Sequence, residues 1–231
     1  MASYLGPRIS TFDLQIAVDA ADKNSYPGSG SVWYDLTPTN KNGSMTTGPT
    51  NGFSTEVGGC FNFTGGADYI QFSSTSSYPF TTGTISIWVT SDLVGSSQLP
   101  IYIIGTNSNR YYLQFGSDNK LYFYRGSDAA KRIAIKDPYV SGEWYNAVMT
   151  YASNGASTTG NFSGFLNGNF IGTNTYAEGT SFGGNIYLGS AAGSTQLLDG
   201  RIAVFDFYPR VLSNEEIKEN FTNLSGRFFG V

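Results

Sequence analysis

The side chains of this chain that could carry acid–base chemistry are its carboxylates, because it holds 17 Asp and Glu residues but no histidine. Without imidazole there is no triad base, no proton shuttle titrating near neutrality and no ordinary zinc ligand set. Cleavage of a glycoside by two carboxylates needs them roughly 5–10 Å apart across the sugar. On a strand that means acids at i and i+2 or i+4. No predicted strand carries such a pair. Glu215, Glu216 and Glu219 cluster on a predicted helix, where a solvated face and the helix dipole account for them. Asp206 stands alone in its strand. Cys60, in the run GGCFNF, has no neighbouring cation to lower its pKa and reads as a small buried side chain. The glycines at Gly28 and Gly30 lack the lysine and following helix of a phosphate loop. The expectation is a protein that is not an enzyme.

Recognition by contact is the other chemistry these residue types allow. Tyr122 and Tyr124 lie two apart on a predicted strand and so share a face. Tyr112 on the preceding strand, and Tyr102 before it, complete four rings able to stack on sugars, with Asn, Asp and Gly in nearby loops as hydrogen-bonding groups. The simpler reading is cross-strand aromatic pairing, or burial against a neighbouring subunit. Lys131, Arg132 and Lys136 form the one dense basic group, on a chain of formal net charge −4. They read as a charged edge strand that discourages edge-to-edge pairing. Nucleic acid is therefore not an expected partner. No apolar run approaches the roughly 18 residues of a membrane span, so membrane insertion is not expected.

The elements that would position these groups are strands. Only 13% of residues are charged, while 29 Gly, 16 Tyr and 17 Phe suit short aromatic strands joined by tight turns. Predicted strands run over 12–18, 60–63, 69–72, 85–89, 100–105, 111–115, 121–124, 144–151 and 164–166. Turn signals fall at Pro27-Gly28, Asn42-Gly43, Thr64-Gly65-Gly66 and 117–120. Trp33, Tyr34 and Leu36 are expected to anchor the long first loop, and 152–160 reads as a loose excursion. Asn167-Gly168 between Leu166 and Phe170 is a two-residue hairpin signal, since a type I′ turn needs positive φ at both positions. The strand over 201–208 is apolar on both faces, with Ala203, Phe205 and Phe207 expected on one side and Ile202, Val204 and Tyr208 on the other. Pro209 ends it. Ser213 and Glu216 form a capping box for a helix with an Ile217, Phe221, Leu224 stripe, and Gly226 is its expected stop. The fold class expected is all-β, a two-sheet antiparallel jelly-roll sandwich with one short C-terminal helix. Residues 11–231 would form the single domain, after an N-terminal arm over 1–10.

The run LDGRIAVFDFYPRVLSNEEIKENF, from Leu198 to Phe221, resembles the closing segment of LamG-like jelly-roll domains of the concanavalin A-like lectin/glucanase superfamily. LQIAVDAADKNSYPGSGSVWYDLTPTNKNGSM, from Leu14 to Met45, is similar to the opening of such domains in virion structural proteins of tailed bacteriophages. Internal blocks FNFTGGADYI, TISIWV, EWYNAVMTY, FLNGNFIG and IYLG resemble the family in order. The resemblance implies calcium at a sandwich edge in some relatives, with Asp68 at the family's Asp before the Tyr. Thr64 and Ala67 stand where relatives often carry Asp or Asn, and Asp19 and Asp22 are alternative oxygens. With so few ligands, the expectation is no cofactor. A histidine frequent in the family is Asn146 here.

What the resemblance implies for role is a non-enzymatic virion structural protein, a capsid-surface decoration or appendage subunit made in the host bacterial cytoplasm. The absence of repeats and heptads argues against a long fibre. Its partners would be other virion proteins of the capsid or of the neck and tail, with this chain in several copies or as a homo-oligomer. The alternative is a glycan-binding adhesin, or a tail-fibre receptor-binding module, for host-surface polysaccharide. Tyr4, Leu5, Pro7 and Arg8 in the arm are the candidate residues for attachment to the virion.

Overall fold

The computed structural model describes residues 9–46, 52–73, 81–104, 110–126, 130–153, 159–177, 184–191 and 195–230. Their strands form two antiparallel sheets of eight strands each. The first holds β1 (Ile16–Asp19), β4 (Phe53–Ser54), β5 (Cys60–Thr64), β7 (Thr82–Ser91), β12 (Tyr145–Ser153), β13 (Thr159–Leu166), β14 (Asn169–Ala177) and β16 (Asp199–Tyr208). Its order is β14-β13-β12-β7-β16-β5-β4, with β1 also paired to β16. The second holds β2 (Val32–Trp33), β3 (Gly43–Met45), β6 (Ile70–Phe72), β8 (Gln98–Ile104), β9 (Arg110–Phe115), β10 (Leu121–Arg125), β11 (Arg132–Lys136) and β15 (Ile186–Leu188). Its order is β11-β10-β9-β8-β15-β6-β3-β2. Helix α1 spans Asn214–Phe229. This is the two-sheet jelly-roll sandwich with a C-terminal helix that the apolar patterning predicts.

Period-two alternation builds the core between the sheets. Ile85, Ile87 and Val89 of β7 meet Leu113 and Phe115 of β9 and Phe123 of β10 within one buried cluster. The opposite face of β7 is also buried, because α1 lies across it: Trp88 clusters with Val204, Trp144, Leu224 and Phe228. The three layers explain why β16 is apolar on both faces. Its faces differ from the strict alternation expected. Ile202 pairs with Val89 and Val204 with Trp88, so Ala203 is an extra, bulged residue. The bulge puts Ile202 in the inner core with Phe205 and Phe207, and turns Ala203 outward beside Val204.

Local signals succeed where the chain is locally governed. Ser213 accepts from the Glu216 backbone while the Glu216 carboxylate accepts from the Ser213 N–H, completing the capping box. Arg210 grips the same carboxylate at 2.6 and 2.8 Å and is the main reason its pKa falls to about 2. The helix does not stop at Gly226; it continues to Phe229 and closes on left-handed Gly230. The added turn lets Phe228 stack on Trp88 at 3.8 Å. The first strand begins at Ile16, not at residue 12, because Asp13 has φ +56° and Phe12 projects into solvent. Asn42-Gly43 is not a turn: Gly43 opens β3 and the Asn42 amide accepts the Asp35 N–H. In that first loop Trp33 is buried, but Tyr34 and Leu36 are exposed. Asp35 fastens the loop instead, accepting from the backbone N–H groups of Ala17, Thr37 and Lys41. Strand β13 begins at Thr159, well before the expected 164, and 154–158 of the predicted excursion lie outside the described residues.

The Asn167-Gly168 hairpin forms as expected, with φ of +49° and +73° and Leu166 opposite Asn169. A Cβ on Gly168 would also lie 3.0 Å from the Phe221 side chain and 3.1 Å from Lys218. Gly168→Val therefore combines left-handed strain with a clash against α1, and is expected to cost about 2 kcal/mol. Urea denaturation checks this; an unchanged midpoint would refute the close hairpin–helix fit.

Candidate functional site

The outer face of the second sheet carries one aromatic row. Tyr124 stands opposite Tyr112, Tyr112 opposite Tyr102, and Tyr102 opposite Tyr187, with Gln71 next in line. Their strand neighbours Phe123, Leu113, Ile101, Ile103, Ile186 and Leu188 point into the core, which forces the tyrosines outward. Directly opposed side chains have Cβ atoms about 5 Å apart, so the rings must meet. Tyr112 and Tyr124 stack at 4.4 Å and 10°, and Tyr102 tilts against Tyr112 at 6.4 Å. Tyr122 meets Tyr124 edge-on at 5.6 Å, and Tyr69 meets Tyr187 at 5.5 Å.

Cations and polar groups pin this layer. Arg132, on edge strand β11, lies over Tyr122 at 4.3 Å and donates to the Tyr124 hydroxyl at 3.0 Å. Arg110 donates to the Tyr102 hydroxyl at 3.3 Å, and Tyr122 donates to Asp118 at 2.6 Å. Burial, and secondarily the Tyr124 phenol, pushes Tyr112 up to about 12; burial and the bond to Asp118 do the same for Tyr122. Both phenols are therefore neutral at physiological pH.

The four predicted tyrosines do share one face, but not as an open platform. Tyr122 and Tyr124 are buried by their neighbours, while Tyr102 and Tyr112 are half-buried. Cross-strand pairing, the simpler reading, is what occupies the Tyr112 and Tyr124 faces. What remains for a ligand is the edges and hydroxyls of Tyr102 and Tyr112, flanked by Arg110, Tyr187 and Gln71. Tyr187 joins the row beside the four tyrosines singled out in the sequence. Its place between Ile186 and Leu188 marks it as outward-facing, but only the β15–β8 pairing shows what it faces.

The candidate calcium ligands serve other partners. Both oxygens of Asp19 bind Arg227, at 2.6 and 2.8 Å. Asp22 accepts from the backbone and side chain of Asn24, which is ordinary turn capping. Asp68 lies before β6 in the other sheet. Among the described residues no three or more carboxylates, cysteines or histidines cluster to hold a metal. Cys60 is buried, and desolvation, with Glu56 secondarily, pushes its thiol up to about 11, as expected of an unreactive side chain. Asn146 sits buried on the outer face of β12, its amide 3.5 Å from the Ser86 hydroxyl.

Tyr4, Leu5, Pro7 and Arg8 lie outside the described residues. The following two residues dock on the domain itself. Ile9 packs on the Trp88 cluster, and Ser10 bonds through its backbone and hydroxyl to Asn220, Glu216 and Tyr208.

Residues 64–218 match the family model described as the concanavalin A-like lectin/glucanases superfamily. Among solved structures the chain is similar to a Trypanosoma rangeli sialidase, with a TM-score of 0.67 and 18% identity over 96% of this chain and 34% of that one. It is also similar to the receptor-binding domain of botulinum neurotoxin type G, with a TM-score of 0.62 and 14% identity over 91% of this chain and 51% of that one. The binding domain of Paraclostridial mosquitocidal protein 1 gives a TM-score of 0.62 and 16% identity over 91% and 52%. The chain thus spans about a third of the sialidase chain and about half of each binding-domain chain, and these likenesses show the fold. No curated protein sequence matches the chain.

Proposed function

Because the chain belongs to the concanavalin A-like lectin/glucanase superfamily, we propose that it is a non-catalytic structural module of a bacteriophage virion. It is displayed on the particle as a capsid-surface decoration or appendage subunit, in several copies, and works without a resident metal. One observation carries this reading: the opening and closing blocks that resemble phage virion proteins pack as one unit. Ile16, Ala17, Val18 and Asp19 of the opening block pair antiparallel with Phe207, Asp206, Phe205 and Val204 of the closing block. Two stretches far apart in the chain and similar to the same family thus meet as neighbouring strands β1 and β16, as a shared architecture requires. Immunogold microscopy of purified particles with an antibody to this chain tests it. Label at regular positions on the particle is expected; unlabelled particles lacking the chain would overturn it.

A second reading, recognition of a surface polysaccharide, draws on the row Tyr124-Tyr112-Tyr102-Tyr187. The receptor-binding and binding domains among the similar folds support it. Calorimetry with host polysaccharide should then show binding weakened by Tyr102→Ala and Tyr112→Ala, which remove the accessible edges. In either reading the protein turns over no sugar. Incubation with β-glucans or host polysaccharide is expected to release no reducing ends above buffer, and turnover abolished by a single Asp or Glu substitution would refute the non-catalytic assignment.

A further inference from the structure

Beneath the start of the domain lies a groove of about 310 Å³, with Ile9, Leu14, Leu36, Pro38 and Ala17 as its apolar lining and Asp22 among its polar lining residues. It adjoins a chamber of about 40 Å³, which shares Ile9, Ala17 and Leu36 with it and is lined also by Asp19, Val204, Asp206 and Leu224. Asp206 is 3% exposed, and no hydrogen bond reaches its carboxylate among the described residues. The carboxylates around it are already served. Asp19 of β1 has Arg227 of α1, and Asp35 accepts from three backbone N–H groups and from the Thr37 and Thr39 hydroxyls. The guanidinium of Arg227 is committed to Asp19 and to the carbonyls of Val57 and Gly59. A buried carboxylate without a partner is costly, and a cation is the group that relieves it.

We propose that this groove and chamber form a binding site for a small primary alkylammonium, its cation seated on Asp206 and its alkyl body between Ile9, Leu14, Leu36 and Pro38. The chamber admits about one water-sized group, which selects –NH₃⁺ over a guanidinium or a quaternary ammonium. The apolar walls take the chain that follows it. The negative charges of Asp19 and Asp35 favour a cation over an alcohol of the same shape.

Thermal unfolding at pH 7.5 with n-butylammonium chloride, compared with equal NaCl, 1-butanol and tetramethylammonium, tests the site. Only n-butylammonium is expected to raise the melting temperature in a saturable way. The isosteric Asp206→Asn is expected to bind it about tenfold more weakly or not at all, through loss of the charge-assisted bond. Leu36→Lys, at a partly exposed wall position, offers a competing ammonium of its own and is expected to block the site without touching Asp206. No shift beyond NaCl in the parent protein, an equal shift in Asp206→Asn, or equal stabilisation by 1-butanol would each overturn the assignment.

Discussion

Trp88→Ala is expected to destabilise the protein by about 3–5 kcal/mol and to loosen helix α1 from the sheet. Trp88 stands on the outer face of β7, fully buried. Phe228 stacks on it at 3.8 Å and 9°, and Phe221 lies parallel to it at 5.7 Å. Trp144, Val204 and Leu224 close the cluster from the residue before β12, from β16 and from the helix. Truncation removes one of the largest buried side chains and leaves a void that neighbours on three rigid strands cannot fill. The helix loses its main apolar seat; what remains are the smaller Ile217 contact, the Arg227 bonds to Asp19, Val57 and Gly59, and the bonds of Ser10 and Arg210 to its first turns. Trp88→Phe keeps a ring against Phe228 and should recover much of the loss. Chemical denaturation followed by far-UV circular dichroism reads both variants; a Trp88→Ala midpoint equal to the parent's would show that α1 is not held this way.

The second large effect is a dependence of stability on pH through Asp206. Burial, and then the negative charges of Asp19 and Asp35, hold its carboxyl well above the usual carboxylate range. In the unfolded chain the group titrates near its ordinary value of about 3.9. Between that value and the raised one, the folded protein keeps a proton that the unfolded chain has lost. The contribution of Asp206 is therefore fully present below about pH 4 and is lost as pH rises through the folded-state pKa. The fall is at most about 1.4 kcal/mol per pH unit. Asp206→Asn removes this titration. It is expected to be more stable than the parent at pH 7–8 and to converge with it near pH 4, as urea denaturation across that range would show. Parallel stability curves would mean that Asp206 is charged in the folded protein. Above the unfolded-state value the parent carries the cost of burying this acid, a cost of the kind that persists at sites kept for binding.

What the sequence determines by itself is whatever a few adjacent residues decide. The alternation of Ile85, Ile87 and Val89 makes β7 a strand, Asn167-Gly168 takes positive φ, and the Ser213 and Glu216 groups reach each other across one helical turn. The lack of histidine and of same-face acid pairs speaks equally locally about chemistry. Tertiary structure decides the rest, because register and burial are set by strands far apart in the chain. Whether Ile202 or Ala203 faces the core depends on a bulge against β7. Gly226 is carried inside the helix because Phe228 has Trp88 to stack on. The four predicted tyrosines lie on neighbouring strands of one meander, so their shared face is legible, but Tyr187 joins them only when β15 inserts between β8 and β6. The isolation of Asp206 is likewise invisible in sequence: an acid in a strand is ordinary until the fold removes water, turns Arg227 toward Asp19 instead, and leaves the carboxylate alone at the end of an apolar groove.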